Sequence, residues 1–159
     1  SNILINEFKE ASKVLGVKAT NTFLYSYQVR IFSKKRQEIL QDLIELRNNI
    51  NPDLVMIPSE SDVHQDHQTI YNESIRAFKF SSILGYEMPW NNLSFQSSSF
   101  VFVSENHIQK KIKALKKYKS QSKRPYSNEE FLRSLARTRG VQINTKYAEA
   151  FQVIRWILK

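Results

Sequence analysis

Six residues do most to limit the folds open to this chain. Asp53-Leu54-Val55-Met56-Ile57-Pro58 is a continuous apolar run bounded by turn residues. Strands buried on both faces of a parallel sheet read this way. Helical patterns lie on either side of it. Upstream, residues 35–49 place Ile39, Leu40, Leu43, Ile44 and Leu46 on one broad face, and Asn51-Pro52 stops the pattern. Glu38 and Asp42 come early in that helix and Arg47 late, as the helix dipole favours. Downstream, a polar loop from Ser59 to Val63 leads into a second helical segment over His64 to Phe80.

The same alternation extends outward. Phe8, Ala11, Val14 and Leu15 repeat at helical spacing within residues 6–15, and Gly16 follows where a terminating glycine belongs. Residues 22–27, 86–88 and 100–103 read as short strands. A basic helix is expected over 105–119, another over 128–139 ending at Gly140, and a helical stretch over 147–158. The expected fold is therefore α/β, a Rossmann-like and mainly parallel sheet flanked by helices, with a helical C-terminal layer. Without repeats or a low-complexity linker, residues 1–159 are expected to form a single domain.

Composition removes several alternatives. With 41% hydrophobic residues, the chain has enough apolar surface to offset the entropy of ordering, so disorder is not expected. Its longest apolar stretches fall far short of the ~18–20 residues that span a bilayer, and no basic-then-apolar leader opens it. The absence of cysteine excludes disulfides and thiolate metal sites, and fits a cytoplasmic setting. Charge is uneven. Residues 1–107 hold 10 basic and 12 acidic residues, whereas residues 108–159 hold 14 basic and 3 acidic. A basic third can serve an anionic small substrate, a lipid or nucleic acid, or simply solvate a helix face.

The chemistry concentrates after the apolar strand. In open α/β sheets, ligands bind beyond the carboxyl ends of the strands. There the sequence reads Asp62-Val63-His64-Gln65-Asp66-His67, with two of the chain's three histidines three residues apart. With Asp62 capping the helix, both imidazoles fall in its first turn on neighbouring positions. A metal-bound imidazole needs its other ring N–H oriented by a carboxylate or carbonyl, and local acids can supply that. The plainer alternative is a polar helix cap. A catalytic zinc site needs three protein ligands, and the third histidine, His107, stands forty residues away at the head of the basic helix, where a solvated or capping role fits it better.

These residues resemble a known family. Asn51-Pro52-Asp53-Leu54-Val55 followed by Asp62-Val63-His64-Gln65-Asp66-His67 is similar to the signature of the PIG-L (LmbE-like) N-acetylglucosamine deacetylases. Glu7 to Val17, Lys110-Lys111-Ile112, Tyr118 to Gln121, and Arg139-Gly140 through Tyr147 to Phe151 extend the likeness over nearly the whole chain. The resemblance implies zinc-dependent hydrolysis of the N-acetyl group of an N-acetylglucosamine-type sugar or glycoconjugate. It implies that His67 is a metal (Zn2+) ligand, that His64 faces the oxyanion or leaving amine, and that Asp66 orients the histidine as its charge partner. The family's His-Pro-Asp-Asp segment, with its other ligands and general base, has no counterpart here, and a family arginine aligns with Leu4. A strand-helix-strand on the N-terminal side is therefore expected to lie outside these 159 residues, all the more since the chain does not begin with Met.

Two other readings stay open: a catalytically inactive remnant, and a basic nucleic-acid-binding module using residues 108–159, with Tyr118, Tyr126 and Phe131 among its lysines and arginines. On the enzyme reading the partner is an N-acetyl sugar or glycoconjugate, nucleic acid is not an expected partner, and homo-oligomerisation is left open.

Overall fold

The computed structural model describes residues 2–158. In chain order its regular elements are α1 (Asn2–Leu15), α2 (Arg36–Ile50), β1 (Leu54–Pro58), α3 (Gln65–Ala77), β2 (Ser82–Tyr86), β3 (Ser99–Phe102), α4 (Glu105–Leu115), α5 (Glu129–Gln142) and β4 (Ala148–Arg155). The strands form one sheet in the order β1-β2-β4-β3. By contacts the chain divides into two compact units, residues 26–99 with 150–159 and residues 1–25 with 100–149.

The first unit carries the histidine loop. β1 and β2 run parallel, with Leu54 opposite Ser82 and Ile57 opposite Gly85. Leu40, Ile57, Ala77, Phe78 and Ile83 form its buried core, with Leu43, Ile44, Val55, Tyr71 and Ile75 packed around them. Burying these apolar groups is the main stabilising term. α2 ends where Asn51 turns left-handed at φ 48° and donates its N–H to the Arg47 carbonyl. Between α2 and α3, the fully buried Glu73 accepts from Arg36 and Arg76, both at 2.6 Å. A buried charge is tolerable only when paired in this way.

Three expectations need correction here. The sheet is not mainly parallel, because β4 runs antiparallel to β2, with Tyr86 opposite Phe151. Residues 147–158 are not helical, because Ala148–Arg155 is that strand. Its Ala-Glu-Ala start favours a helix locally, but pairing with β2 and burial of Ala148, Ala150 and Phe151 override propensity. Finally, among the described residues β1 is not buried on both faces. It stands at the end of their strand order, with Leu54 and Met56 44% and 51% exposed, while Ile57 is buried. Alternation along a strand puts Leu54 and Met56 on the face opposite Val55 and Ile57.

In the second unit, Val103, Ile108, Ile112, Leu132, Ala136 and Tyr147 form the core, with Leu115 and Phe131 packed against it. Phe131 is thus a packing residue, and partial burial raises the phenol pKa of Tyr118 above its ordinary value. His107 sits in a capping box with Ser104, as its boundary position suggests. Gly140 lies inside α5 instead of ending it. A Cβ there would come within 2.7 Å of the Lys146 carbonyl oxygen, so close approach of the following chain explains this glycine. Residues 22–27 are not a strand, and the β2 strand lies at 82–86, ahead of the expected 86–88.

Candidate active site: two histidines after the first strand

β1 ends at Pro58, and the chain then turns sharply past Gly85 of the neighbouring strand. A Cβ on Gly85 would lie 2.9 Å from the Ser59 Cα, so only glycine lets the loop pass this closely. Ser59 and Asp62 are both 1% exposed. The loop is fastened from the residues that follow β2. Asn92 donates to Ser59 Oγ at 2.8 Å and to Ser61 Oγ at 3.2 Å, and its own Oδ1 accepts from the Met88 N–H. Val63 donates its N–H to the Asn91 carbonyl. From β4, Gln152 Oε1 accepts the Glu60 N–H.

Asp62 is the hub. Its Oδ1 accepts the His64 backbone N–H at 2.8 Å, and its Oδ2 lies 2.7 Å from His67 Nδ1. An ionised carboxylate only accepts, so Nδ1 of His67 carries the proton and a neutral His67 presents a lone pair at Nε2. His64 is arranged the other way. It is the N-cap of α3, and its Nδ1 accepts the Asp66 backbone N–H at 3.2 Å. A neutral His64 therefore holds its proton at Nε2 and presents a donor there. The two rings lie 4.5 Å apart, centroid to centroid, with 31° between their planes. One offers an acceptor or metal ligand, the other a hydrogen-bond donor, side by side.

The structure thus places His64 and His67 together, and gives Asp66 a different neighbourhood. Asp66 is 4% exposed, and its two oxygens accept the backbone N–H groups of Arg30 and Phe32, at 2.5 and 3.3 Å. The carboxylate against His67 belongs to Asp62. Likewise His64, not Asp62, is the residue that caps the helix, so it stands just outside the first turn. Asn91 and Asn92 drew no attention in the sequence, although they follow the carboxyl end of β2, where a second strand's loop is expected to face the site. Below them, burial, followed by the Asp62 charge, pushes the Tyr86 phenol up to about 12.

As a metal centre the set is partial. His67 Nε2 fits one position of a zinc shell, with Asp62 as the outer carboxylate that fixes the ring. Among the described residues, however, no group of three or more histidines or carboxylates is placed to hold a metal. The residues present therefore do not by themselves make the three-ligand site that catalytic zinc requires.

A sequence profile of the PIG-L family, described as GlcNAc-PI de-N-acetylase, matches residues 1–78, the segment that contains both histidines. Through this segment the chain resembles the PIG-L family. A curated relative from Escherichia coli strain K12, the uncharacterized deacetylase YaiS, is 33% identical over 120 residues, which are 72% of this chain and 64% of that protein. The chain therefore spans less than two-thirds of the relative's length. Among solved structures, N,N'-diacetylchitobiose deacetylase from Pyrococcus horikoshii superposes with a TM-score of 0.78 at 22% identity, covering 97% of this chain and 64% of that one. GalB, the 4-carboxy-2-hydroxymuconate hydratase from Pseudomonas putida KT2440, superposes with a TM-score of 0.69 at 16% identity, over 99% of this chain and 73% of that one. At these identities the structural likeness shows the fold alone, and that fold carries more than one chemistry. No helix among the described residues is long and apolar enough to cross a membrane.

Proposed function

We propose that this chain is part of a PIG-L-type deacetylase that hydrolyses the N-acetyl amide of an N-acetylglucosamine-type sugar or glycoconjugate, releasing acetate. The observation that carries this reading is the opposed proton placement on the paired imidazoles, set by the Asp62 contact at 2.7 Å and the Asp66 N–H at 3.2 Å. Amide hydrolysis needs a donor for the carbonyl oxygen or departing amine and a site where water is activated. His64 Nε2–H supplies the first, since Asp66 N–H occupies the other ring nitrogen. His67, anchored by Asp62, is proposed as one of the zinc donors, the remaining donors and the general base coming from residues outside these 159. Zinc, where bound, polarises a carbonyl and lowers the pKa of water to about 7. In this reading Asp66 is a positioning residue. Its N–H sets the His64 tautomer, and its carboxylate holds the neighbouring segment. The family profile and the deacetylase relative support the reaction class, and the lack of cysteine supports a reducing, cytoplasmic setting.

The test is acetate release by the full natural protein from N-acetylglucosamine and its oligosaccharides, before and after chelation and zinc reloading. Acetate that disappears with chelation and returns with zinc is the expected result. A protein that holds zinc but releases no acetate from any N-acetyl sugar contradicts the reading, and a hydration assay on an unsaturated tricarboxylate then tests the chemistry named for GalB.

A further inference from the structure

The segment that Asp66 holds contains an unusual residue. Arg30 adopts a left-handed backbone, φ 70°, one of three non-glycine residues with positive φ among those described. The other two are Asn51 and Asn144, and asparagine tolerates that region where a long side chain does not. Three hydrogen bonds impose the conformation. Arg30 N–H donates to Asp66 Oδ2 at 2.5 Å, the Phe32 N–H to Asp66 Oδ1 at 3.3 Å, and Gln65 Nε2 donates to the Arg30 carbonyl at 2.6 Å. Gln65 and Asp66 are the residues between His64 and His67. The helix that presents the imidazoles therefore also fixes the Arg30 backbone.

A turn of this kind is satisfied with less strain by glycine or asparagine. The chain instead keeps an exposed guanidinium there, and that group has no ion-pair or hydrogen-bond partner among the described residues. Nearby acids are already engaged. Both Asp66 oxygens accept backbone N–H groups, Asp62 holds His67, Asp42 accepts from Tyr27, and Glu73 is shared by two other arginines. The segment from Ser26 to Phe32 contributes no carboxylate of its own. A guanidinium without a countercharge, on a backbone tied to the helix that presents the imidazoles, matches the paired oxygens of a carboxylate or phosphate.

We propose that Arg30 is a specificity-determining residue that binds an anionic group, carboxylate or phosphate, carried by the N-acetyl sugar. This rests on the deacetylase reading above and narrows its substrate class to acidic or phosphorylated amino sugars. The test uses the full natural protein and its Arg30→Gln and Arg30→Lys variants with three substrates: N-acetylglucosamine, N-acetylglucosamine 6-phosphate and N-acetylmuramic acid. In the wild type, kcat/KM is expected to favour one of the two anionic sugars. In Arg30→Gln that preference is expected to fall by roughly 10–100-fold, the scale of a lost hydrogen bond to a charged group, mainly through KM. Which anionic sugar loses its advantage distinguishes phosphate from carboxylate, and Arg30→Lys should recover more of a phosphate preference than of a carboxylate one. Equal losses on all three sugars, or a wild type indifferent to charge, overturn the proposal while leaving the deacetylase reading intact. Calorimetric titration with glucosamine 6-phosphate and muramic acid separates the opposite case. Arg30-dependent binding without acetate release keeps the anion site and sinks the deacetylase reading.

Discussion

His64 and His67 lie 4.5 Å apart with their protons on opposite nitrogens, because a carboxylate accepts from Nδ1 of one and a backbone N–H donates to Nδ1 of the other. Two chemically identical side chains thereby acquire different tasks. The difference is written in their hydrogen-bond partners, which makes it accessible to substitution.

Asp62→Asn is the most direct of these. Asparagine can still accept the His64 N–H through its oxygen, so the loop is expected to hold. The atom then facing His67 Nδ1 is the amide NH2, which donates and cannot accept the ring proton. Turnover and zinc affinity are each expected to fall about 10–100-fold, the range for outer carboxylates of a metal site. Steady-state kinetics with metal titration read both.

Asp66→Asn should behave differently. Its oxygens accept two backbone N–H groups, and an asparagine turns an NH2 toward one of them. A stability loss of roughly 1–3 kcal/mol is expected, since a buried donor is left unmet. Urea unfolding measures it. A fully stable variant that loses turnover by losing zinc would return Asp66 to the role of charge partner for the metal-bound histidine.

Gly85→Ala tests the close passage of β2 beneath the loop. The added methyl would meet the Ser59 Cα at 2.9 Å and the Ile154 Cδ1 at 3.2 Å, with backbone on one side. Overpacking of this kind costs typically about 1–3 kcal/mol. Because Ser59 leads directly to Asp62, turnover should fall with stability. A variant as stable as the parent would show that the loop yields at little cost.

Alkali gives a second stability probe. Burial, and then the Asp62 charge, raises the folded pKa of Tyr86 from 10.0 to about 12. Folding therefore retains a proton that the unfolded chain releases between these values. The stabilisation is fully present below pH 10, and falls away as pH rises toward 12. Two units correspond to roughly 2–3 kcal/mol. Tyr86→Phe should flatten that part of the stability curve, which denaturant midpoints between pH 9 and 12 will show.

The sequence made some of this visible and hid the rest for identifiable reasons. β1 and its flanking helices were legible because apolar residues repeat there at the right periods, and Asp53–Pro58 is bounded by its own turn formers. β4 was not, since Ala148-Glu149-Ala150 has helical propensity and its strand character comes from pairing with β2, more than sixty residues away. The histidine pair could be placed at the strand end from spacing alone. Their tautomers could not, because Asp66 adjoins His67 in sequence whereas Asp62 is five residues away, and only the loop's path assigns Asp62 to His67 and Asp66 to Arg30 and Phe32. Asn91 and Asn92 reach the loop through an isolated bridge between Asp62 and Asn92, a non-local contact with no periodic signal.

The central claim is that His67 binds metal while His64 acts on the substrate. It is tested most directly by measuring zinc content and acetate release together in His67→Ala and His64→Ala of the full natural protein. The account predicts that His67→Ala loses zinc and activity, whereas His64→Ala keeps its zinc and loses turnover by about 100-fold or more, the scale of a missing acid catalyst. Equal loss of zinc in both variants would contradict it, and would mean that the two imidazoles share the metal.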